Sequence, residues 1–332
     1  MSKVTVSLVT FNSKRYLGDF CESLRRQTFT DWELMVVDNN SHDKSVQIVT
    51  EHLPGTKIIQ QKTNTGFSHA HNLIISWSKS KYVLVVNADV LMQSDCIERL
   101  VQCLETREDI ASAGGKLLYW DFEQYRKTDQ LDTAGLIIQP SYRISDRYQG
   151  EHNRDIPSGQ IFGLSGALVM FRRTALEQVK LPRGGAATRY EYFDEDFFSY
   201  KEDADLAWRL NLAGWKNYFL SETLAYHNRT ISSHESSRKE RKMRSGINRY
   251  SYRNHLLMVY KNQITSVTLR NIFSILYFEL SKFFYLLSLD GSSARGLREA
   301  VGLLPRFKKK RSLIQSQRRV QPSEFEEWLH TS

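Results

Sequence analysis

The sequence predicts an α/β fold in which helices flank a mostly parallel central sheet, followed by a helical C-terminal extension. Three observations lead to this prediction. Strand-like and helix-like segments alternate through the first third of the chain, one strand is a continuous apolar run (YVLVVN), and a long apolar segment lies within a basic C-terminal region. Such alternation builds β-α-β units with right-handed crossovers, and strands buried on both faces appear as unbroken apolar runs.

Periodicity and turn signals define the first eight elements. β-branched and apolar runs predict strands, whereas apolar residues three and four apart, such as Leu17, Phe20 and Leu24, predict helices. In chain order these elements are strand Val4–Thr10, a helix from Ser13 to about Gln27, strand Glu33–Val37, helix Lys44–His52, strand Lys57–Gln60, helix Ser68–Ser78, strand Tyr82–Asn87 and helix Ser94–Arg107.

The second half of the chain is less regular. We expect loops and irregular strands over residues 119–160, because this stretch is polar and aromatic with weak periodicity. A strand over 161–172, a helix over 201–212 and a strand over 217–227 follow, and Gly214 is placed to end the helix.

Composition and the absence of several motifs exclude some classes of protein. The chain has 332 residues, of which 41% are hydrophobic and 25% charged, as in an ordinary soluble globular protein. Its three cysteines show no metal-binding spacing, which disfavours a disulfide framework or structural zinc and fits a reducing compartment. The apolar run at the N-terminus is too short for a signal peptide. Without GxGxxG or GxxxxGK[ST], a dinucleotide dehydrogenase or P-loop NTPase is disfavoured.

The net charge of +9 is unevenly distributed. Residues 229–332 contain 20 Lys and Arg against 8 Asp and Glu, whereas residues 1–228 contain 26 against 29. A basic C-terminal region indicates an anionic partner, such as a membrane surface or nucleic acid, although a solvated surface is the alternative.

The apolar segment Asn271–Leu289 approaches the length of a membrane span. Glu279 and Lys282 near its centre make a lone span costly. With Ser274, Ser281 and Ser288 they fall on one side of a helix, which favours an amphipathic helix lying in the membrane interface. The basic cluster over 306–311 (RFKKKR) suits anionic headgroups. The alternative is a helix that packs on the catalytic domain or in a dimer interface.

Polar side chains follow three predicted strands. Parallel α/β sheets bind ligands at the carboxyl ends of their strands, where this chain has Phe11-Asn12, Asp38-Asn39-Asn40 and Asn87-Ala88-Asp89. Asp38 could accept a hydrogen bond from a pyrimidine ring on which Phe11 stacks, and Asp89 could hold Mg²⁺ or Mn²⁺ on a diphosphate. Both aspartates could instead be turn formers.

A dense group of carboxylates and aromatic side chains precedes the helix over 201–212. Mutual repulsion and burial are expected to raise the pKa values of these carboxylates, which favours a general base at Glu202-Asp203. The alternative is a solvated helix start stabilised by the helix dipole. His227, at the end of a late strand, is a candidate second metal ligand, although a lone histidine is more often structural.

In this order the motifs resemble the inverting nucleotide-sugar glycosyltransferases of family 2, and the resemblance implies the GT-A fold, a Rossmann-like sheet flanked by helices. The FDEDFF…EDADLAWR block is most similar to the rhamnosyltransferase-like branch, which builds bacterial surface polysaccharides such as O-antigen. The matching segments are VSLVTFN (6–12), QTFTDWELMVVDNNSHD (27–43), NTGFSHAHN (64–72), VLVVNADV (83–90), GLSGALVMFRR (163–173), FDEDFFSYKEDADLAWRLNLAGW (193–215) and AYHNRTISS (225–233).

The resemblance implies roles for individual residues. It makes Asp203 the base with Glu202 beside it, Asp89 and His227 the ligands of Mg²⁺ or Mn²⁺, and Asn87 a departure from the first Asp of the family's DxD element. The donor-binding set is Phe11, Asn12, Asp38, Asn40, Asn64, Asn72, Asn87 and Asp89, and the acceptor side is Gly166, Asp194 and Glu195.

The implied enzyme is metal-dependent and moves a sugar, with dTDP-rhamnose as the first donor expected, to a glycan or lipid-linked glycan at the inner face of the cell membrane. Its catalytic domain would cover residues 1–228, with the nucleotide-sugar part ending near 118, and a basic extension over 229–332 would bind membrane or form oligomers. A UDP-hexose donor, a nucleotidyltransferase, a nucleic-acid-binding protein and a non-catalytic sugar-nucleotide-binding relative are the alternatives. The sequence contains no recognisable nucleic-acid-binding motif, which disfavours the nucleic-acid-binding alternative.

Overall fold

The computed structural model describes residues 2–183, 189–229 and 238–330. Its strands are β1 (Val4–Thr10), β2 (Trp32–Asp38), β3 (Lys57–Gln60), β4 (Tyr82–Asn87), β5 (Val90–Met92), β6 (Ile110–Asp121), β7 (Arg126–Thr133), β8 (Leu136–Ile138), β9 (Ile144–Asp146), β10 (Gly159–Ile161), β11 (Leu168–Arg172), β12 (Leu181–Pro182), β13 (Tyr190–Glu191) and β14 (Lys216–His227). Its helices are α1 (Lys14–Arg25), α2 (Ser45–His52), α3 (Gly66–Trp77), α4 (Cys96–Thr106), α5 (Arg173–Val179), α6 (Glu202–Leu212), α7 (Arg238–Asn262), α8 (Thr265–Arg270), α9 (Ile272–Asp290), α10 (Ser292–Ser316) and α11 (Pro322–Trp328).

The central sheet is mixed but mostly parallel. Its strand order is β10-β14-β6-β11-β4-β1-β2-β3, with β5 paired to β14 and β7 paired to β6. Strands β1 to β4 are parallel to their neighbours in this group, and β14 is parallel to β6. Strand β11 runs antiparallel between β4 and β6. The carboxyl ends of β1, β2, β4 and β14 therefore lie at one edge of the sheet, and the predicted fold class is confirmed.

Helices cover both faces of the sheet because its central strands are apolar on both sides. Buried residues of α1, α2 and α4 pack with Val4, Val6 and Leu8 on one face. Residues of α3, α5 and α6 pack with Val83 and Val85 on the other. Strand β6 and its neighbour β7 reach into residues 119–160, where the sequence predicts loops and irregular strands. The sequence does not mark these two strands, because their apolar and polar residues do not alternate cleanly.

The C-terminal extension shares a hydrophobic core with the catalytic part. Trp208 of α6 stacks on Phe325 of α11, with ring centroids 5.5 Å apart and an interplanar angle of 5°. Phe197 stacks on Phe307 of α10 at 5.9 Å. A single cluster of buried apolar residues contains members of α6 through α11. The extension is therefore packed as part of the catalytic body rather than as a detached unit beginning at residue 229.

Helix α9 presents apolar residues to the outside, and its polar residues do not lie on one side as the sequence predicts. Glu279 points inward to the ring of His255, and Lys282 lies half-buried over the rings of Tyr252 and Phe278. The three serines Ser274, Ser281 and Ser288 are exposed, so they do not share a face with Glu279 and Lys282. The exposed large apolar side chains of α9 are Phe273, Leu276, Tyr277, Leu280, Phe284, Tyr285, Leu287 and Leu289.

Among the described residues, α9 is the one helix long and apolar enough to cross a membrane, and only 11% of its most apolar window is buried. Length and composition alone are weak evidence for a span.

Part of the basic cluster over 306–311 does not face solvent, which also differs from prediction. Lys310 is 2% exposed and ion-paired with Glu191, Asp194 and Asp196. Arg306 pairs with Asp196, and Arg311 donates to the Tyr260 carbonyl oxygen at 2.7 Å. Lys308 and Lys309 remain exposed. Lys310 and Arg306, which the sequence pattern assigns to lipid headgroups, therefore neutralise carboxylates of the protein itself.

Candidate active site

The carboxyl ends of β1 and β2 form a polar edge around Asp38. This carboxylate is buried, and its Oδ1 accepts hydrogen bonds from the hydroxyls of Thr10 (2.8 Å) and Ser41 (2.5 Å). Its Oδ2 accepts from the backbone N–H of Ser41 at 2.9 Å. Phe11, which follows Thr10 in the chain, is 48% exposed. Asp38 thus organises the turn after β2, and its contact with a nucleobase stays a prediction, as does stacking on Phe11.

Two asparagines at this edge have left-handed backbones. Asn12 has φ 52° and Asn40 has φ 64°, a region that Asn enters more readily than most residues. The Asn12 side-chain oxygen accepts from the backbone N–H of His42 at 2.9 Å, and the Asn12 N–H donates to the Ser41 hydroxyl. The loops after β1 and β2 are therefore hydrogen-bonded to each other at the edge of the sheet where the sequence predicts the nucleobase of the donor.

The predicted donor residues on and before α3 are engaged in local hydrogen bonds. Asn64 Oδ1 accepts from the N–H of Gly66 at 2.9 Å. Asn72 is 5% exposed, and its Oδ1 accepts from the N–H groups of Tyr192 and Phe193 at 3.1 and 2.9 Å. Its Nδ2 donates to the Phe193 carbonyl oxygen at 2.8 Å. The buried side-chain amide of Asn72 therefore has all its hydrogen bonds within the protein and fixes the loop before α6. This corrects the prediction that Asn72 contacts the nucleotide sugar.

Asp89 and His227 lie together although 138 residues separate them in the chain. Strand β5 turns back immediately after Asp89 and pairs with the end of β14, where His227 opposes Val90. His227 Nε2 lies 3.5 Å from Asp89 Oδ1. Burial disfavours the charged ring, but hydrogen bonds to Asp132 and Asp89 outweigh it and raise the pKa of His227 to about 9.

Three further charged residues surround this pair, and the sequence analysis missed them. His227 Nδ1 is 2.7 Å from Oδ2 of buried Asp132, whose Oδ1 accepts from Arg229 at 2.9 Å. Arg229 also donates to Asp146 at 2.9 Å. Asp132 and Asp146 come from the irregular middle region, where no motif distinguishes them from loop aspartates. Only the folded structure identifies them, because Asp132 contacts His227 and Asp146 contacts Arg229 at the end of β14.

A pocket of about 310 Å³ opens between these strand ends and the start of α6. It brings together five of the predicted site residues, Asn87, Gly166, Glu202, Asp203 and His227, together with Asp146 and Arg229. Phe67 from the N-terminal turn of α3 also lines it. Residues far apart in the chain therefore share one cavity large enough for part of a sugar substrate.

Asp203 is held in this pocket by two backbone N–H groups. Its Oδ2 accepts from Gly166 at 3.0 Å, and its Oδ1 accepts from Ala204 at 2.7 Å. A Cβ on Gly166 would lie 3.2 Å from the Phe67 ring and 3.4 Å from the Asp203 Cβ. Because Gly166 has no side chain, its backbone comes close enough to orient the Asp203 carboxylate. Its predicted position beside the acceptor stays a prediction.

Glu202 lies beside Asp203 but is more deeply buried. It is 6% exposed, and its Oε2 has no hydrogen-bond partner within the described ranges. Burial and the neighbouring Asp203 charge raise the pKa of Glu202 to about 8. At neutral pH this carboxyl therefore tends to keep its proton in the folded protein.

This proton makes stability depend on pH. The unfolded Glu202 ionises near its ordinary pKa of about 4.3, while the folded form holds its proton up to about pH 8. Since the folded state binds more protons in this window, the free energy of unfolding falls as pH rises through it. Glu202→Gln should therefore gain Tm relative to the parent between pH 5 and pH 8. Thermal unfolding at several pH values, with exposed Glu222→Gln as control, tests this; an equal pH profile for parent and E202Q would contradict it.

The structure places Asp194 away from the pocket, which corrects its predicted acceptor contact. Asp194 is fully buried and ion-paired with Lys261 of α7 and Lys310 of α10. Burial opposes its charge, but these two ammonium groups outweigh burial and hold the pKa of Asp194 far below its ordinary value. The sequence alone suggests that the carboxylates of this segment all raise one another's pKa. Asp194 is an exception, because Lys261 and Lys310 from the extension lie beside it.

Glu195 also serves the loop. It accepts from Asn72 at 3.1 Å and pairs with Arg183 (2.8 Å) and His69 (2.9 Å). These contacts bind the loop before α6 to α3 and engage both oxygens of the carboxylate. An acceptor contact through Glu195 is therefore not supported by its position.

Asp89 and His227 fit a divalent cation carried by a diphosphate. Within the described ranges no group of three or more His, Cys, Asp or Glu side chains could hold a metal ion. One carboxylate oxygen and one imidazole nitrogen nevertheless face the same space, and the Asp132 carboxylate orients the imidazole through its other nitrogen, as at many metal sites. Mg²⁺ is commonly bound by one or two carboxylates plus substrate phosphates, and Asp89 and His227 are the residues that would hold such an ion here.

Comparisons with known proteins identify the family and agree with the fold. The family model described as "Glycosyl transferase family 2" matches residues 5–180. The chain is 26% identical over 249 residues to the N-acetylglucosaminyl-diphospho-decaprenol L-rhamnosyltransferase of Mycobacterium tuberculosis, covering 69% of this chain and 76% of that protein.

Two solved structures have a similar fold. One is the mannosyltransferase PcManGT of Pyrobaculum calidifontis in complex with GDP-Man and Mn²⁺, with a TM-score of 0.56 at 16% identity, covering 95% of this chain and 84% of that one. The other is S. aureus TarS 1-349 in complex with UDP-GlcNAc, with a TM-score of 0.55 at 17% identity, covering 95% and 87%. At these identities the likeness shows the fold alone.

Proposed function

Because this chain belongs to glycosyl transferase family 2, we propose that it is an inverting, metal-dependent glycosyltransferase that moves rhamnose from dTDP-rhamnose to a lipid-linked glycan in the synthesis of a bacterial surface polysaccharide. Support for the sugar and for a lipid-linked acceptor comes from the relative that is an L-rhamnosyltransferase of a diphospho-decaprenol substrate. The single observation that carries the proposal is the position of Asp203 in the pocket that also contains His227 and Asn87.

The pocket supports a single displacement at the anomeric carbon. Asp203, oriented by the N–H groups of Gly166 and Ala204, would take the proton from the attacking acceptor hydroxyl. With no enzyme nucleophile between donor and acceptor, the new bond forms as the bond to the nucleoside diphosphate breaks, and the configuration inverts. Asp146 lines the same pocket, bound to Arg229, and could receive a second hydroxyl of the acceptor.

Asp89 and His227 would hold the Mg²⁺ or Mn²⁺ ion, whose contribution when bound is to neutralise charge on the leaving diphosphate. Asp132 keeps the His227 ring oriented so that Nε2 faces Asp89. Arg229 lines the cavity and donates to Asp146, which also lines it, and to the buried Asp132 behind His227. The chain's own residues thus bind and orient the substrates around Asp203.

A donor screen tests the proposal and its metal requirement. Purified protein should hydrolyse or transfer sugar from dTDP-rhamnose faster than from UDP-glucose, UDP-galactose or UDP-N-acetylhexosamines in the presence of Mn²⁺. EDTA should abolish the reaction, and excess Mn²⁺ should restore it, because few protein groups hold the ion and it exchanges freely. Equal rates with EDTA would refute the metal role, and a UDP-hexose preference would replace the donor.

The exposed apolar face of α9 supports association with a membrane surface, as a peripheral protein at the inner face. Phe273 is 84% exposed, Tyr277 78% and Phe284 61%. Monomeric soluble proteins rarely expose a contiguous apolar face of this extent. The amphipathic aromatic rings suit the level of lipid headgroups, where an acceptor with a lipid anchor would be held.

Replacing this aromatic face should release the protein from vesicles. The triple variant Phe273→Ser, Tyr277→Ser and Phe284→Ser should lose most of its cosedimentation with vesicles containing anionic lipid, because each buried aromatic contributes roughly 1.5–3 kcal/mol of transfer free energy. Trp77→Ser, which removes another exposed aromatic at the end of α3, is the control. Unchanged sedimentation of the triple variant, or an equal loss in the control, would contradict a role of α9 in membrane binding.

A further inference from the structure

The loop that leads into α6 has an unusual backbone conformation. Residues 196–201, the base loop, end two residues before Asp203. Phe198, Tyr200 and Lys201 in this loop have left-handed backbones, with φ of 62°, 73° and 73°. Residues other than glycine rarely adopt this region, because the Cβ clashes with the backbone, and they stay there only where surrounding contacts hold them. The position of Asp203 therefore depends on the contacts that hold this loop.

Helix α7 of the extension supplies hydrogen-bond donors to the base loop. The side-chain amide nitrogen of Asn254 donates to three carbonyl oxygens, which belong to Phe197 (2.9 Å), Ser199 (2.9 Å) and Tyr200 (2.8 Å). Arg253 Nε donates to the side-chain oxygen of Asn254 at 2.9 Å. Since a guanidinium group can only donate, this contact directs the amide nitrogen of Asn254 towards the loop. Asn254 is 0% exposed, so water does not compete for these carbonyl oxygens.

A second element, α3, holds the remaining carbonyl oxygen of this stretch. The Phe198 oxygen accepts from the backbone N–H groups of Phe67 and Ser68 at 2.8 and 3.3 Å. Gly66 permits this approach, because a Cβ at its position would lie 2.5 Å from the Phe198 oxygen. Every carbonyl oxygen from residue 197 to residue 200 therefore accepts a hydrogen bond from α3 or α7.

The base loop and α7 also form part of the wall of the Asp203 pocket. Residues 199–201 line the pocket, and so does Ser251, which lies three residues before Asn254 on α7. A helix outside the predicted catalytic domain of residues 1–228 therefore contacts the substrate cavity and the segment that carries the proposed base.

We propose that Asn254 is a positioning residue, whose amide holds the base loop in the conformation that brings the Asp203 carboxylate to the N–H of Gly166. This inference rests on the proposed function for the role of Asp203 as the base. The nearby lysines Lys261 and Lys310 act differently, because they neutralise carboxylates that precede the loop. Asn254 instead bonds the backbone of the loop itself, up to three residues before Asp203.

Hydrogen–deuterium exchange of the full chain tests the proposal without sugar transfer. Asn254→Leu keeps a side chain of similar shape and removes the donors. Exchange should become faster in residues 196–201 and at the N–H of Gly166, which donates to the Asp203 carboxylate in the parent. Peptides from β1 and β2 should exchange as in the parent. A role of Asn254 in packing alone would leave exchange at Gly166 unchanged, and that result in folded N254L would overturn the proposal.

Sugar transfer from dTDP-rhamnose gives the second readout, at a temperature where N254L is folded. The kcat of N254L should fall roughly 10²-fold, because misplacing a catalytic group by about 1 Å costs this much. The KM for the donor and the affinity for dTDP with Mn²⁺ should not change, since the predicted nucleobase site lies at the ends of β1 and β2. An unchanged kcat, or a loss of donor affinity in place of kcat, would overturn the proposal.

A matched control and two further variants keep the test decisive. Asn248→Leu makes the same change elsewhere on α7, where the amide donates to Asp290 at 3.3 Å, and should leave kcat and exchange at Gly166 unchanged. An effect of N248L equal to that of N254L would overturn the proposal. Asn254→Ser retains one donor, so it should show the same changes at smaller size if N254L does not fold.

Gly66→Ala disturbs the base loop from α3, because the added Cβ meets the Phe198 oxygen. It should reproduce the fall in kcat and the faster exchange at Gly166. Gly302→Ala is its control, since a Cβ at that position meets no atom within 4 Å. A normal kcat in folded G66A would mean that the conformation of the base loop does not place Asp203, and it would overturn the proposal.

The outcome is separable from that of the proposed function. If the parent protein transfers no sugar but N254L exchanges faster at Gly166, the positioning of Asp203 by Asn254 stands and the transferase assignment fails. If the parent and N254L use dTDP-rhamnose equally well, the transferase assignment stands and the positioning role fails.

Discussion

Replacing Asp203 with asparagine should lower the rate of sugar transfer about 10²–10⁴-fold, the usual contribution of a positioned general base. Asparagine keeps the shape of the side chain, but its single oxygen can accept from only one of the two N–H groups of Gly166 and Ala204, so thermal unfolding of D203N should accompany the rate measurement. The affinity for the nucleotide donor should change little, because in the proposed function Asp203 contacts the acceptor hydroxyl and not the nucleotide. A fall in kcat with unchanged donor affinity is the expected signature of an interaction made in the transition state.

Two further variants sharpen this test. Asp155→Asn makes the same chemical change at an exposed position and should leave the rate unchanged. Glu202→Gln distinguishes the two neighbouring carboxylates, since Glu202 tends to stay protonated near neutral pH and is a poor base there. Full activity of D203N would remove the base assignment from Asp203, and a loss of activity in E202Q alone would move it to Glu202.

Replacing Lys310 with methionine should destabilise the protein by about 3–5 kcal/mol, because it leaves carboxylates buried without their counterion. Lys310 is 2% exposed and contacts Glu191 at 2.7 Å, Asp194 at 2.5 Å and Asp196 at 3.0 Å. Urea unfolding of K310M should show a lower midpoint with an unchanged slope, and Tm should fall by several degrees.

The neighbouring residue provides a matched control. Lys309 is exposed on the same helix, and Lys309→Met should change the free energy of unfolding by no more than about 0.5 kcal/mol. K310M should also lower activity at temperatures where it remains folded, since Glu191, Asp194 and Asp196 shape the loop that leads to Asp203. Equal stability of K309M and K310M would mean that the buried ion pairs contribute nothing.

The same contacts change how the extension should be tested. Deleting residues 265–332 would remove Lys310, Phe307 and Phe325, which pack against the catalytic part. Loss of membrane binding in such a deletion would therefore report unfolding as readily as a lost anchor. Point substitutions on the outer face of α9 avoid this ambiguity because they leave the buried face intact.

The parallel part of the sheet was predictable because its signals are local. An apolar run such as Tyr82–Asn87 marks a strand buried on both faces wherever it occurs, and β4 has these bounds in the structure. The polar residues that follow β1, β2 and β4 were placed at one edge by the rule for parallel strands alone. Strand β6 was missed because its glycines and mixed polarity carry no period of two.

The partners of the charged residues were not predictable, since they come from distant parts of the chain. Nothing near Asp194 in the sequence indicates that Lys261 and Lys310 lie beside it, and a run such as RFKKKR looks the same whether it faces lipid or a carboxylate. Asp132 lies on β7 and Asp146 on β9, two strands that no motif marks in the sequence. Asn72 is a donor-pocket asparagine by its place in the chain and a saturated scaffold amide by its contacts.

By itself, the sequence determined the class of fold, the edge of the sheet that carries the chemistry, and the identity of Asp89, Asp203 and His227 as the residues to examine. Only the tertiary structure decided which carboxylates reach the pocket, which cations neutralise the others, and which face of α9 is exposed. The physical reason is that backbone periodicity is written into neighbouring residues, whereas burial and charge pairing depend on residues that meet only after the chain has folded.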